Sequence, residues 1–128
     1  EIFLFIMKSY LTFKKIKPIF EDKFSKVIFD NYPVTRGHIL VVPKKKVISI
    51  FKLSKTQYQQ VFEMVKKTVI FLKKEYKVRD FNIGINNGKY AGQTVKQAHI
   101  HIIPRYKGDV KDPTGGIRGV IPKKRKYK

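Results

Sequence analysis

Two histidines set the terms on which this sequence can do chemistry. His99 and His101 sit in an otherwise apolar run, Gln97-Ala98-His99-Ile100-His101-Ile102-Ile103. A strand alternates its side chains between two faces, so in a strand over residues 98–103 the side chains of Gln97, His99 and His101 share one face. Ala98, Ile100 and Ile102 then point into a core, and Pro104, which cannot donate to a ladder, is expected to end the strand. Upstream, Asn86-Asn87-Gly88 has turn chemistry, and Gly92-Gln93-Thr94 joins a flexible point to two polar side chains. A neutral imidazole, with an unshifted pKa of about 6.5, is a competent nucleophile or general base near neutrality. Attack on phosphorus also needs donors for the equatorial oxygens. His101, Gln93, Thr94 and main-chain N–H groups near Gly92 are candidates for that work. Against this stands the plainer reading of two core-edge imidazoles, which suits a lone histidine better than a pair beside such a loop. A zinc centre is a further alternative, but the chain has no cysteine and no carboxylate close in sequence to complete a ligand set.

Positioning such a pair requires a sheet and something packed on it. Residues 24–29 read as a strand ending at Asp30, and Asn31-Tyr32-Pro33 as a turn. Residues 38–43, His38-Ile39-Leu40-Val41-Val42-Pro43, have the profile of a buried strand, and the two together suggest a hairpin. One helix is strongly marked: Ser54 and Gln57 form a capping box. Behind it, Tyr58, Val61, Phe62, Val65, Val69, Leu72 and Tyr76 keep the spacing of one apolar face, with Lys66, Lys67, Lys73 and Lys74 on the solvated side. Residues 81–85 read as the strand before the Asn86-Asn87-Gly88 turn. Residues 1–23 show no clear period, and from about residue 107 onward the pattern reads as a basic, flexible tail ending in Lys123-Lys124-Arg125-Lys126.

With 128 residues the chain fits one domain, 1–128, with one modest core. A hydrophobic content of 42% argues against wholesale disorder. The absence of cysteine excludes disulfides and thiolate metal sites and makes a reducing compartment, the cytoplasm, the default. The apolar opening, Ile2 to Met7, is too short to span a bilayer and lacks the flanks of a signal peptide, so no membrane partner is expected. A formal net charge of +20 concentrates polyanions near the surface, and the basic end could serve as a nuclear-import or nucleic-acid patch. Because lysine is spread along the whole chain, this charge reads as non-specific polyanion attraction that modulates affinity.

The segment Gly92-Gln93-Thr94-Val95 followed by Gln97-Ala98-His99-Ile100-His101-Ile102-Ile103 resembles the signature of the histidine triad (HIT) nucleotide hydrolases and transferases. That signature is His-φ-His-φ-His-φ-φ after a Gly-Gln-Ser/Thr-Val segment, with Gln97 here in place of the first histidine. The continuation Pro104-Arg105-Tyr106-Lys107-Gly108-Asp109 is similar to the diadenosine-polyphosphate hydrolases of that family. The resemblance, which runs from about Phe20 onward, implies an α+β fold: an antiparallel five-stranded sheet carrying one long helix, paired as a homodimer. It implies a catalytic row of His99, His101 and Gln97, in which His99 attacks the α-phosphorus to form a nucleotidyl-histidine and His101 assists the leaving group. His38 would lie beside the site, Gln93 and Thr94 would contact phosphate, Asp30 would hold ribose hydroxyls, and Asn86 would sit near the α-phosphate. Ile28 and Ile39 would line the nucleoside cleft. The implied substrate is a dinucleoside polyphosphate such as diadenosine tri- or tetraphosphate. A nucleoside phosphoramidase is the rival within the family, and a nucleotide sensor or basic nucleic-acid-binding protein the rival outside it. Zinc-binding members place their ligands at positions that correspond here to Glu1, Leu4, Lys46 and Gln97, so neither a structural zinc nor any other cofactor is expected.

Overall fold

The computed structural model describes residue 13 and residues 15–127. The apolar opening, with Glu1 and Leu4, lies outside the described residues. Five strands form one sheet: β1 (Phe20–Glu21), β2 (Ser25–Phe29), β3 (Ile39–Pro43), β4 (Asp80–Gly84) and β5 (Ile100–Arg105). Their spatial order is β1-β2-β3-β5-β4, and every neighbouring pair is antiparallel. The long helix α1 (Lys55–Tyr76) packs on one face of this sheet. The architecture is thus α+β with an antiparallel five-stranded sheet and one long helix, as the resemblance implied.

Alternation along the strands explains the two layers. Val27, Ile39, Val41, Ile100 and Ile102 meet Val61, Met64, Val65 and Leu72 of α1 in one cluster. Each such side chain, fully buried, contributes about 1.5–3 kcal/mol relative to exposure. The residues between them in register, Ile28 and Leu40 with Val42, face the other way and pack under Phe13. Both faces of β3 are therefore covered, which is why Ile39–Pro43 is buried throughout and reads as an unbroken apolar run.

The helix begins as its capping box directs. Ser54 Oγ accepts from the Gln57 N–H at 3.2 Å, and Gln57 Oε1 accepts from the Ser54 N–H at 2.9 Å. Its buried face is Val61, Met64, Val65, Thr68 and Leu72. Tyr58 and Phe62 stay outside that face, 38% and 37% exposed, with their ring centroids 5.0 Å apart and the planes tilted by 39°. Met64 and Thr68 take the core positions instead, Thr68 by donating its hydroxyl to the Met64 carbonyl at 2.7 Å.

The last strand differs from its expected span at both ends. It starts at Ile100, not residue 98, and runs through Pro104 to Arg105. Past Ile102 the pairing with β3 has ended and only β4 remains alongside, so a proline is tolerated. Nor is the C-terminal run a frayed tail. Two short 3-10 turns, Gly116–Val120 and Pro122–Lys124, fold back beside β4, with Ile117 over Gly84. They are held by Arg125, which donates to the carbonyls of Asp112 and Thr114, and by Arg118, which donates to those of Lys124 and Arg125. Bonds of this kind leave no hydrophobic period in a sequence. Among the described residues no helix is long and apolar enough to cross a membrane.

Candidate active site

On the face of the sheet opposite α1, a cleft of about 340 Å³ opens between β3, the start of β5 and the loop at 86–95. Asp30, His38, Asn86, Gln93, Thr94, His99 and His101 all line it, so seven of the eight candidate polar residues converge on one space. The exception is Gln97, which is fully buried under the 43–47 segment. A larger concavity of about 710 Å³ lies beside the C-terminal turns. Of its four cations, Arg105, Arg125 and Lys126 are bonded to Asp109, to main-chain carbonyls and to Asp112, and no histidine lines it.

The imidazoles are joined by hydrogen bonds that fix which nitrogen carries each proton. His99 Nδ1 lies 2.9 Å from the Gln97 carbonyl oxygen. A carbonyl can only accept, so Nδ1 carries the hydrogen and Nε2 keeps a bare lone pair. His38 Nδ1 accepts the Val34 N–H at 3.1 Å, so its hydrogen is on Nε2. That Nε2 faces His101 Nδ1 at 2.9 Å and Asp30 Oδ2 at 3.5 Å. His101 Nδ1 is thereby the acceptor, and its own hydrogen is on Nε2. The row presents a lone pair on His99 next to an N–H on His101, with ring centroids 4.9 Å apart.

This assignment needs neutral rings, and their surroundings keep them so. Burial lowers the pKa of His99 below its ordinary 6.5, against the opposing pull of the Gln97 carbonyl and Asp30. Burial likewise lowers His38, with Asp30 opposing. Burial, aided by His99 and His38, takes His101 down to about 4. In the unfolded chain these histidines return to about 6.5 and take up protons first as the pH falls. Stability that is whole above pH 6.5 is therefore lost as the pH drops toward about 4. Calorimetry should find a flat melting temperature from pH 8 to 7 and a progressive decline below 6.5. A melting temperature unchanged down to pH 4.5 would mean that the imidazoles are not desolvated.

The hairpin that delivers His38 turns at Gly37, whose φ of 85° is left-handed. A Cβ there would approach the Tyr76 ring at 3.2 Å and Pro104 at 3.3 Å, so the turn requires glycine. The apolar wall of the cleft comes from Phe13, Ile16, Leu40 and Val95. Ile39, expected there, faces α1 instead, because it sits one residue from Leu40 on a strand. Ile28 is on the right face but lies beneath Phe13. Phe13 also meets the His99 ring edge to face at 5.2 Å. No periodicity in residues 1–23 marks it, and only its bulk and position before the first strand could have suggested it.

Gln93, expected to contact phosphate, and Gln97, expected in the catalytic row, both spend their carboxamides on main-chain groups. The Gln93 carboxamide is spent on its own loop, accepting from the Gly88 N–H at 2.9 Å and donating to the carbonyls of Ile48 and Val95 at 3.0 and 3.1 Å. It shapes the loop that leaves exposed Thr94 and Asn86 facing the cleft. Gln97 Nε2 donates to the carbonyls of Pro43 at 2.9 Å and Lys45 at 3.1 Å, so its side chain takes no part in the row and its carbonyl does. Neither Gln97, whose amide nitrogen is committed to the carbonyls of Pro43 and Lys45, nor the ammonium of Lys46 fits the histidine and thiolate ligands of a zinc site. Asp30, His38 and His101 do bring ligand-type atoms within 4.8 Å of one another. A cation there would have to displace the proton bridging His38 and His101.

A family model described as the HIT domain matches residues 14–108. An uncharacterized HIT-like protein of Methanocaldococcus jannaschii is 42% identical over 93 residues, 73% of this chain and 71% of that protein. The asymmetrical bis(5'-nucleosyl)-tetraphosphatase of Schizosaccharomyces pombe is 36% identical over 90 residues, which are 70% of this chain but only 50% of the yeast protein. A crystal structure of a HIT family protein from Bacillus anthracis superposes with a TM-score of 0.69 at 37% identity, covering 73% of this chain and 67% of that one.

Proposed function

The chain belongs to the HIT domain family, and on that footing we propose that it is a nucleotidyl hydrolase acting on a dinucleoside polyphosphate such as diadenosine tri- or tetraphosphate. The observation that carries the proposal is the opposed protonation of two adjacent imidazoles, a lone pair on His99 Nε2 and a hydrogen on His101 Nε2. His99 Nε2 attacks the α-phosphorus in line, an N–P bond forms, and the bond from that phosphorus to its bridging oxygen breaks. The departing phosphate oxygen leaves as an anion held by a hydrogen bond from His101 Nε2–H. Water then attacks the nucleotidyl-histidine, the N–P bond breaks to restore the His99 lone pair, the proton that water gives up passes to solvent, and a mononucleotide leaves. Asp30 suits ribose hydroxyls, and the Phe13 and Leu40 wall suits the base. The work of the relatives on dinucleoside polyphosphates, as the name of the yeast enzyme states it, supports the substrate class.

The same reading makes the molecule a homodimer. Among the described residues β4 is an edge strand with Ile83 exposed, and pairing it with β4 of a second copy would close that edge. It also gives the reaction no resident metal, in line with the donors that Gln97 turns toward carbonyls. The decisive assay sets diadenosine triphosphate against adenosine 5'-phosphoramidate. Faster turnover of the former, with AMP among the products, is expected. A preference for the phosphoramidate would reassign the leaving group, and binding of AMP with turnover of neither would mark a sensor.

A further inference from the structure

We infer that Gln97 is a positioning residue for His99: its carboxamide, buried between β3 and β5, holds still the main-chain carbonyl that sets the nucleophile's tautomer. The inference rests on the hydrolase reading for its effect on turnover, though not for its effect on the imidazole.

The carbonyl that accepts from His99 Nδ1 belongs to residue 97, which lies before β5 begins at Ile100. No strand ladder fixes it. What fixes it is a row of bonds to a single neighbouring segment. Both hydrogens of Gln97 Nε2 are used, on the carbonyls of Pro43 and Lys45, and the next N–H, that of Ala98, reaches the Val47 carbonyl at 2.8 Å. Residues 43, 45 and 47 thus act as alternate teeth of one template. Gln93 adds a further bond to the same template at Ile48.

The other end of the carboxamide explains why this is not mere packing. Among the described residues, the buried Gln97 Oε1 has no hydrogen-bond partner. A buried acceptor left unpaired is unfavourable, and an apolar side chain of similar volume would avoid it. Reversing the amide would aim that oxygen at two carbonyls, which is worse. The side chain is therefore kept for its two donors, and those donors act on the segment that carries the carbonyl.

Gln97→Met tests this, since it keeps the length and volume of the side chain and removes the donors. Nitrogen-15 spectra of the imidazoles should show His99 as a single Nδ1–H tautomer in the wild type and as a mixture in the variant. With diadenosine triphosphate, kcat should fall about tenfold to a hundredfold with KM within about twofold, the scale of a misplaced reacting group. A folded variant that keeps both the tautomer and kcat overturns the inference. Should Gln97→Met not fold, Gln97→Asn, too short to reach both carbonyls, is expected to give the same mixed tautomers, and retention of a single one would count equally against the inference. If the wild type turns over no nucleotide, the hydrolase reading fails and the tautomer result still decides the role of Gln97.

Discussion

His99→Ala is expected to lower kcat for diadenosine triphosphate by at least about a thousandfold, the scale of removing a covalent nucleophile. The argument rests on supply of lone pairs. Of the imidazole nitrogens in the row, His38 Nδ1 is occupied by the Val34 N–H and His101 Nδ1 by His38, so His99 Nε2 is the one left bare. No neighbouring ring can substitute without breaking the chain of hydrogen bonds. The substitution trims a ring that lines an open cleft, so it leaves no sealed void, and circular dichroism should show an unchanged fold. Acid-labile, base-stable nucleotide should remain attached to the wild type on rapid quenching and be missing from the variant. Near-normal turnover by His99→Ala, with His101→Leu dead, would reverse the two roles.

Much of this site was legible before any coordinates because its geometry follows from one strand and two turns. The period of two that sends Ile100 and Ile102 inward necessarily sends His101 outward, and His38 stands one residue ahead of a strand that Gly37 delimits. Helix α1 was legible for the same kind of reason, its cap being a local bond between Ser54 and Gln57. What could not be read was anything decided by a distant partner. Gln93 and Gln97 look like free polar side chains next to histidines, and only the fold brings the 43–48 carbonyls to their amides. Met64 and Thr68 join the buried face of the helix while Tyr58 and Phe62 stay partly exposed, a rotation that only the position of the sheet decides. Phe13 belongs to the cleft through a contact with Ile28 and Leu40 that no spacing encodes. The C-terminal turns are organised by arginine donors on carbonyls, which in sequence look the same as a solvated basic end.

His101→Leu is expected to reduce kcat by about a hundredfold to a thousandfold, the scale of removing a donor aimed at developing charge. His38→Leu should cost less, about tenfold, because His38 acts only through His101. Without the His38 Nε2–H, His101 Nδ1 is no longer obliged to accept, and the ring can place its hydrogen on the wrong nitrogen for part of the time. The double variant should then be no slower than His101→Leu alone, since there is nothing left for His38 to orient. Titration of the His101 ring, followed by NMR, gives a second check. His38 is among the influences that hold His101 down at about 4, so in His38→Leu the ring should take up its proton at higher pH. If the two losses instead multiply in the double variant, and the His101 titration stays in place, the two imidazoles work independently and the chain from Val34 through His38 to His101 carries no function.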